Sequence, residues 1–362
     1  MVAAGDDRTT IGANQKEWEE RMIGAGGTLK GMLRWPGLVR ALVASSLTVG
    51  ALSAPSLCER AAAADAYPSQ SIRIVTPLAA GSASDVALRI LADKLSERFG
   101  VPVIVQNQPG AGGVTAGRMV TTAPPNGYTI AWAGNNSAIG VSLFREAPDP
   151  RQEMKAIVGV SEFAYLFVDS AASPHKSLKE WITAARAKPG TMSVGTSSAG
   201  TTNYLAALLF KSMQKLDFTV VPYRGPTELS VALLRNDVDL VINAYGGLRS
   251  AIEANQVRAL AATSAVRLPE LPDVPTMAEA GVSDFEVTSW NALYGPNDMP
   301  QDAADTLARA TTEILKRPDV IAKYATIGFV AQPLAADALA ERMRSDIERW
   351  ARVIGEAHIN KQ

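Results

Sequence analysis

The segment Ile72-Arg73-Ile74-Val75-Thr76-Pro77-Leu78-Ala79-Ala80-Gly81-Ser82-Ala83-Ser84-Asp85 passes from a β-branched run, through a polar loop with one glycine, into a helical pattern. Ile72–Thr76 reads as a buried strand and residues 77–83 as a loop, and the helix after it carries Leu88, Leu91, Leu95 and Phe99 on one face. Gly100 ends that helix at a position suited to positive φ. Residues 103–106 form the next strand, residues 109–113 turn the chain, and residues 129–133 supply a third strand. Short β-branched runs alternating with amphipathic stretches predict a mainly parallel sheet covered by helices.

A second set of such units starts near Ser170. Ser177 with Glu180 makes a capping box for a helix bearing Leu178, Trp181, Ile182 and Ala185. Strands are expected at residues 192–196, Thr219–Tyr223, 239–243 and 258–263, with a helix at 201–215. Thr276 and Glu279 form another capping box, and helical periodicity returns at residues 307–315 and 336–354. Trp181 and Trp350 read as core and His175 as exposed. The tail holds too little strand for a third sheet, so it is expected to return to the first lobe. The resulting division is 1–66 as a cleaved N-terminal extension and signal peptide, 67–169 plus 286–362 as lobe one, and 170–285 as lobe two. Two chain crossings, at residues 168–170 and 263–289, would act as a hinge, with a ligand between the lobes at the carboxyl ends of the strands.

Composition narrows the functional classes. The 362 residues are 47% hydrophobic and 20% charged, as in globular proteins with a sizeable core. Lysine plus arginine (35) nearly cancels aspartate plus glutamate (36), which argues against a nucleic-acid partner. His175, His358 and the single Cys58 cannot assemble a His/Cys zinc site or a disulfide framework, and no cofactor is expected. From Met32 the chain shows a basic stretch with Arg34 and Arg40, an apolar run over residues 41–57, and Ala64-Asp65-Ala66 as an A-x-A-like cleavage site. That is a secretory signal pattern, with an apolar run short of the ~20 residues that span a bilayer, so the periplasm is the expected location. The residues before Met32 fit neither signal nor core.

Two loops lead from strand to helix: residues 77–85, and Thr196-Ser197-Ser198-Ala199-Gly200-Thr201-Thr202-Asn203. Helix-start amides and the positive end of the helix dipole favour an anion. Ordinary capping by Ser84 or Thr201 is the plainer reading of either loop alone. One loop per lobe, facing a shared cleft, would clamp a carboxylate.

Around these loops a resemblance runs along almost the whole mature chain. Tyr67-Pro68-Ser69-Gln70, the 77–85 loop, Asn107-Gln108-Pro109-Gly110-Ala111-Gly112-Gly113 and Pro125-Asn126-Gly127-Tyr128-Thr129 are followed by Val221-Pro222-Tyr223-Arg224-Gly225, Val238-Asp239-Leu240, Arg258-Ala259-Leu260-Ala261, Leu271-Pro272-Asp273-Val274-Pro275-Thr276 and Glu279-Ala280-Gly281. In order and spacing this series resembles the Bug-type periplasmic solute-binding receptors of tripartite tricarboxylate transporters. The resemblance implies an α/β, type II periplasmic-binding-protein fold, with two doubly wound lobes joined by a two-crossing hinge. It implies a monomeric receptor for a small carboxylate that serves the membrane components of such a transporter. Carried over by position, Ser82, Ala83, Ser84 and Asp85 would bind from lobe one, and Ser198, Ala199, Gly200, Thr201 and Thr202 from lobe two. Asn135, Asn136 and Ser137 would line a third loop, unless they make an Asx-type turn. Tyr223 either walls the pocket or ends a buried strand, and Arg224 reads as a solvated turn residue. Asn243 is a further candidate, standing where the family commonly has aspartate; this favours a plain carboxylate over an amino acid. Leu78-Ala79-Ala80 and Gly246-Gly247 also depart from the family pattern.

An enzyme would need a nucleophile with a base, a metal or a cofactor loop. No G-x-S-x-G elbow, G-x-G-x-x-G fingerprint or Walker loop occurs, and the run from Gly110 to Gly113 opens no strong helix pattern. A binding protein that presents its ligand to a sensor, or scavenges it, is the nearer alternative, and a carboxylate-processing enzyme using Asp85 the more distant one.

Overall fold

The computed structural model describes residues 67–357 and 359–361. The signal-peptide reading, Cys58 and His358 lie outside the described residues.

The opening unit forms as its residues dictate. β1 (Ile72–Thr76) buries Ile72, Ile74 and Val75, being paired on both sides, in parallel, with β2 (Val103–Asn107) and β3 (Thr129–Gly134). Between them α1 (Ala83–Phe99) presses Leu88, Leu91 and Leu95 onto the sheet. Ser82, not Ser84, caps this helix, accepting the Asp85 N–H at 3.3 Å, and Gly100 ends it at φ 70°. After a 3₁₀ turn at Ala111–Gly113 comes α2 (Val114–Thr121), so the glycine run does open a helix. Asn135, Asn136 and Ser137 form the first turn of α3 (Asn135–Leu143) rather than a loop or an Asx-type turn.

A one-turn helix, α4 (Pro150–Glu153), leads into a 17-residue strand that the sequence reading lacked, β4 (Met154–Ser170). Its first part pairs antiparallel with β9 (Thr288–Pro296) and β10 (Phe329–Leu334). From Tyr165 onward it pairs antiparallel with β7 (Leu240–Ala244) and β8 (Val257–Ala262). One strand therefore belongs to both sheets, which change over at Ala164 and Tyr165. The chain crosses back beside this point, where the Thr263 N–H donates to Tyr165 O at 2.9 Å and the Val287 N–H to Thr263 O at 3.0 Å.

Lobe two holds α5 (Leu178–Ala187), β5 (Ser193–Ser197), α6 (Thr202–Met213), β6 (Thr219–Tyr223), α7 (Pro226–Leu234) and α8 (Tyr245–Glu253). Here β5 lies parallel between β6 and β7. The tail returns α9 (Gln301–Leu315), α10 (Pro318–Ala325) and α11 (Ala336–Glu356) to lobe one, with β9 and β10 joining its sheet. The whole is a mixed α/β sheet in the order β2-β1-β3-β9-β4-β7-β5-β6. Parallel pairing is thus confined to the outer part of each lobe, and antiparallel strands fill the middle, instead of a mainly parallel sheet.

Trp181 and Trp350 are fully buried. His175 is only partly exposed, because its ring lies 3.3 Å from the buried Asp169 carboxylate, which Ser173 also meets at 2.6 Å. Thr276 and Glu279 exchange the two hydrogen bonds of a capping box, but over a turn rather than a helix. Among the described residues no helix is long and apolar enough to cross a membrane.

Candidate functional site

A cleft of about 130 Å³ lies between the carboxyl ends of the strands of both lobes. Its lining includes the N-cap residues of six helices: Ser82 for α1, Gly113 for α2, Gly134 for α3, Thr201 for α6, Gly225 for α7 and Ala244 for α8. Each helix start brings N–H groups without intrahelical acceptors and the positive end of a dipole. At α1 the Asp85 and Val86 N–H groups are taken by Ser82, which leaves the amides of Ala83 and Ser84 as the donors. Among the described residues no acidic side chain lines the cleft, and Arg224 is its only charged one. The sum is a positive field in a small, partly enclosed space, suited to an anion.

Of the residues expected from sequence, Ser82, Ala83, Ser84, Asn135, Asn136, Ser137, Ser198, Ala199, Gly200, Thr201 and Asn243 line this cleft. Asp85, Thr202 and Tyr223 do not. Asp85 is 1% exposed and turns away. It accepts from the Gly81 N–H at 2.9 Å, from Asn107 Nδ2 at 2.8 Å and from Arg89 Nε at 3.0 Å. Burial works to raise its pKa, but these bonds outweigh it and hold the carboxyl below the usual range. Tyr223 ends β6, and its carbonyl accepts from Ser198 Oγ at 3.4 Å.

Thr202 is fully buried in a bridge between the lobes. Its N–H and Oγ1 each lie 3.1 Å from Asn136 Oδ1, and Asn135 Nδ2 donates to its Oγ1 at 3.1 Å. Asn135 is itself fixed by the Trp350 indole N–H at 2.7 Å. The α6 amide that the sequence reading offered to a ligand is therefore occupied by the opposite lobe. Asn203, also buried, spans Ser197 Oγ and Ile242 O at 3.1 and 2.8 Å and ties the second loop to β7.

The lobes also touch through glycine. A Cβ on Gly200 would lie 2.7 Å from the Phe144 ring and 3.4 Å from Gly112 Cα, and φ is +84° there. Gly246 would similarly meet Ile327 and Ala83, each at about 3 Å.

The sequence reading missed the aromatic wall: Trp132, Phe163, Tyr165 and Trp290. Phe163 stacks on Phe329 at 4.1 Å. The Tyr165 phenol sits beside Ser289 and Thr202, and burial pushes its pKa up to about 12. The Trp290 indole N–H donates to Asp346 Oδ2 at 2.6 Å, with the Arg342 guanidinium 5.3 Å from its ring. Burial raises the Asp346 pKa, against the opposing effects of Trp290, Arg342 and Arg349. The signal for this wall lay in β4, β3 and β9, of which only β3 was expected as a strand. Among the described residues no three His, Cys, Asp or Glu side chains stand together as a metal site.

Two lobes sharing a central strand, with a polar and aromatic cleft between them, define a binding protein of the periplasmic type. The chain belongs to the tripartite tricarboxylate transporter family receptors, whose family model matches residues 87–359. It is 33% identical over 314 residues to the UPF0065 protein in the tcbD-tcbE intergenic region of Pseudomonas sp. strain P51, covering 86% of this chain and 93% of that protein. Its structure is similar to that of R. palustris Rpa4515 with adipate, at 27% identity and a TM-score of 0.77, covering 81% of this chain and 98% of that one. It is also similar to the periplasmic binding protein BugD, at 26% identity and a TM-score of 0.77, covering 82% and 100%. The family and these structural neighbours are binding proteins, not enzymes.

Proposed function

We propose that this chain is an extracytoplasmic receptor that captures a small carboxylate between its lobes and delivers it to the membrane components of a tripartite tricarboxylate transporter. The observation that carries the reading is the convergence of six helix N-termini on one cleft that no acidic side chain of the described residues lines. In this reading the carboxylate takes the amides of Ala83 and Ser84 from lobe one and those of Ser198, Ala199 and Gly200 from lobe two, the Thr201 N–H being held by Ser198 O, with Ser82, Thr201, Ser137 and Asn243 as neutral partners. Adipate in the R. palustris relative supports the ligand class. Secretion through the N-terminal signal, and a periplasmic location, agree with the family membership. The aromatic, amide and hydroxyl groups of the lining can orient a ligand.

A thermal-shift screen of the chain from Tyr67 onward tests this. At a hundredfold excess over its dissociation constant, a bound acid is expected to raise the melting temperature by about 5 °C. Indifference to mono-, di- and tricarboxylates alike, with binding of neutral or cationic solutes instead, would refute it.

A further inference from the structure

Two aromatic rings stand at the seam between the lobes without lining the cleft, those of Phe144 and Tyr245. Phe144 caps the end of α3 in lobe one, its N–H donating to Gly140 O at 2.9 Å, and its half-buried ring meets two glycines. One is Gly112 of its own lobe, where an added Cβ would collide with the ring. The other is Gly200 of lobe two, where a Cβ would lie 2.7 Å from Phe144 Cε2 and 3.1 Å from Cζ. Tyr245, which is buried, starts α8 in lobe two. Its ring faces Gly328 of lobe one, in the turn between α10 and β10, where a Cβ would lie 2.8 Å from Tyr245 Cβ and 3.1 Å from Cδ1. Each lobe thus seats one ring on a glycine of the other.

The two contacts lie beside the cleft, because Gly112, Gly200 and Ala244, the residue before Tyr245, all line it. Hydrogen bonds accompany the second contact. The Gly246 N–H donates to Ile327 O at 3.2 Å, and Arg249 Nη1 donates to Thr326 O at 3.0 Å, at the carboxyl end of α10 where the helix dipole favours a cation. Where glycine lets backbone lie directly on a ring, the attraction is of short range, and a gap of about 1 Å forfeits up to half of it. Such contacts favour the closed arrangement and vanish at the first step of opening. A ligand enters while the lobes are apart and leaves only after they part, so these contacts bear on release far more than on capture.

We propose that Phe144 and Tyr245 are positioning residues, a reciprocal clasp of ring on glycine that holds the lobes shut and sets the rate at which ligand leaves. The clasp rests on the two-lobed fold and not on which solute is bound. Neither ring needs to touch the ligand.

Small-angle X-ray scattering of the ligand-free protein, and stopped-flow tryptophan fluorescence with adipate, test the clasp on wild type, Phe144→Ala, Tyr245→Ala and the ring-retaining Tyr245→Phe. Each alanine variant is expected to have a larger radius of gyration than wild type and to release adipate about tenfold faster, with association changed by no more than about twofold. Tyr245→Phe should match wild type in both. An unchanged radius, an unchanged release rate, or association slowed as far as release is speeded would each overturn the clasp. Circular dichroism checks the fold, and should Tyr245→Ala fail to fold, the half-buried Phe144 decides alone. If the wild type ignores adipate, which counts against the carboxylate reading, a larger radius in the alanine variants still supports the clasp and an unchanged one overturns it.

Discussion

The Asp85 carboxylate gathers the Gly81 N–H, the Asn107 amide and the Arg89 guanidinium, and by doing so holds the first loop in the shape that presents its amides. Removing it should leave the Gly81 N–H and one of the two Asn107 Nδ2 hydrogens without an acceptor, the other still meeting Leu78 O, and Asp85→Ala is expected to lose about 2 kcal/mol at pH 7 in urea titrations. The folded pKa of Asp85 is lowered, so its contribution is complete above the ordinary aspartate value of about 3.9 and fades as pH falls toward the lowered one. The gap between variant and wild type should therefore narrow at acid pH. Asp346 has the opposite sign. Its folded pKa is raised by burial, so the stability it offers is present below about 3.9 and lost as pH climbs through the raised value. Asp346→Asn keeps an acceptor for the Trp290 indole without a buried charge. It should melt no lower than wild type at pH 7, and its advantage there should shrink on acidification, as followed by differential scanning fluorimetry from pH 4 to 8.

Among the elements, the loop before α6 has a spacing that admits no side chain at Gly200. Gly200→Ala would place a methyl group against Phe144 and hold a left-handed φ, which costs about 1 to 2 kcal/mol in the backbone alone. Its expected signature is weaker acid binding by calorimetry with both lobes folded by circular dichroism. The same loop shows what could be read in advance. Short strands bounded by turn residues, such as β1 and β6, were legible because β-branched runs of five residues have few alternatives. β4 was not, because it is buried along nearly all of its length and shows no alternation to mark it as a strand. Its partners β9 and β10 come from the far end of the chain, a pairing that local pattern does not carry. Two of the six helix starts were anticipated, those with Ser82 and Thr201 at the cap. Gly113, Gly134, Gly225 and Ala244 hold no side-chain oxygen and gave no capping signal. α3 begins with two asparagines, weak helix formers whose side chains are used by Trp350 and Thr202 instead.

For the molecule as a whole, the Asn136 bridge to Thr202 joins the lobes directly, so it is expected to oppose their opening. Asn136→Ala should release the Thr202 N–H and shift the ligand-free protein toward the open form, seen as a larger radius of gyration in small-angle X-ray scattering that contracts again on adding a bound acid. Because β4 pairs with four other strands across both lobes, β7, β8, β9 and β10, neither half has a complete sheet of its own. Urea should therefore unfold the described chain in one transition by fluorescence and circular dichroism alike. Gene fragments that divide the coding sequence at Ala164 and Tyr165 would each encode a raw hydrophobic border where β4 was cut, and such halves should clump on expression instead of yielding separate soluble modules.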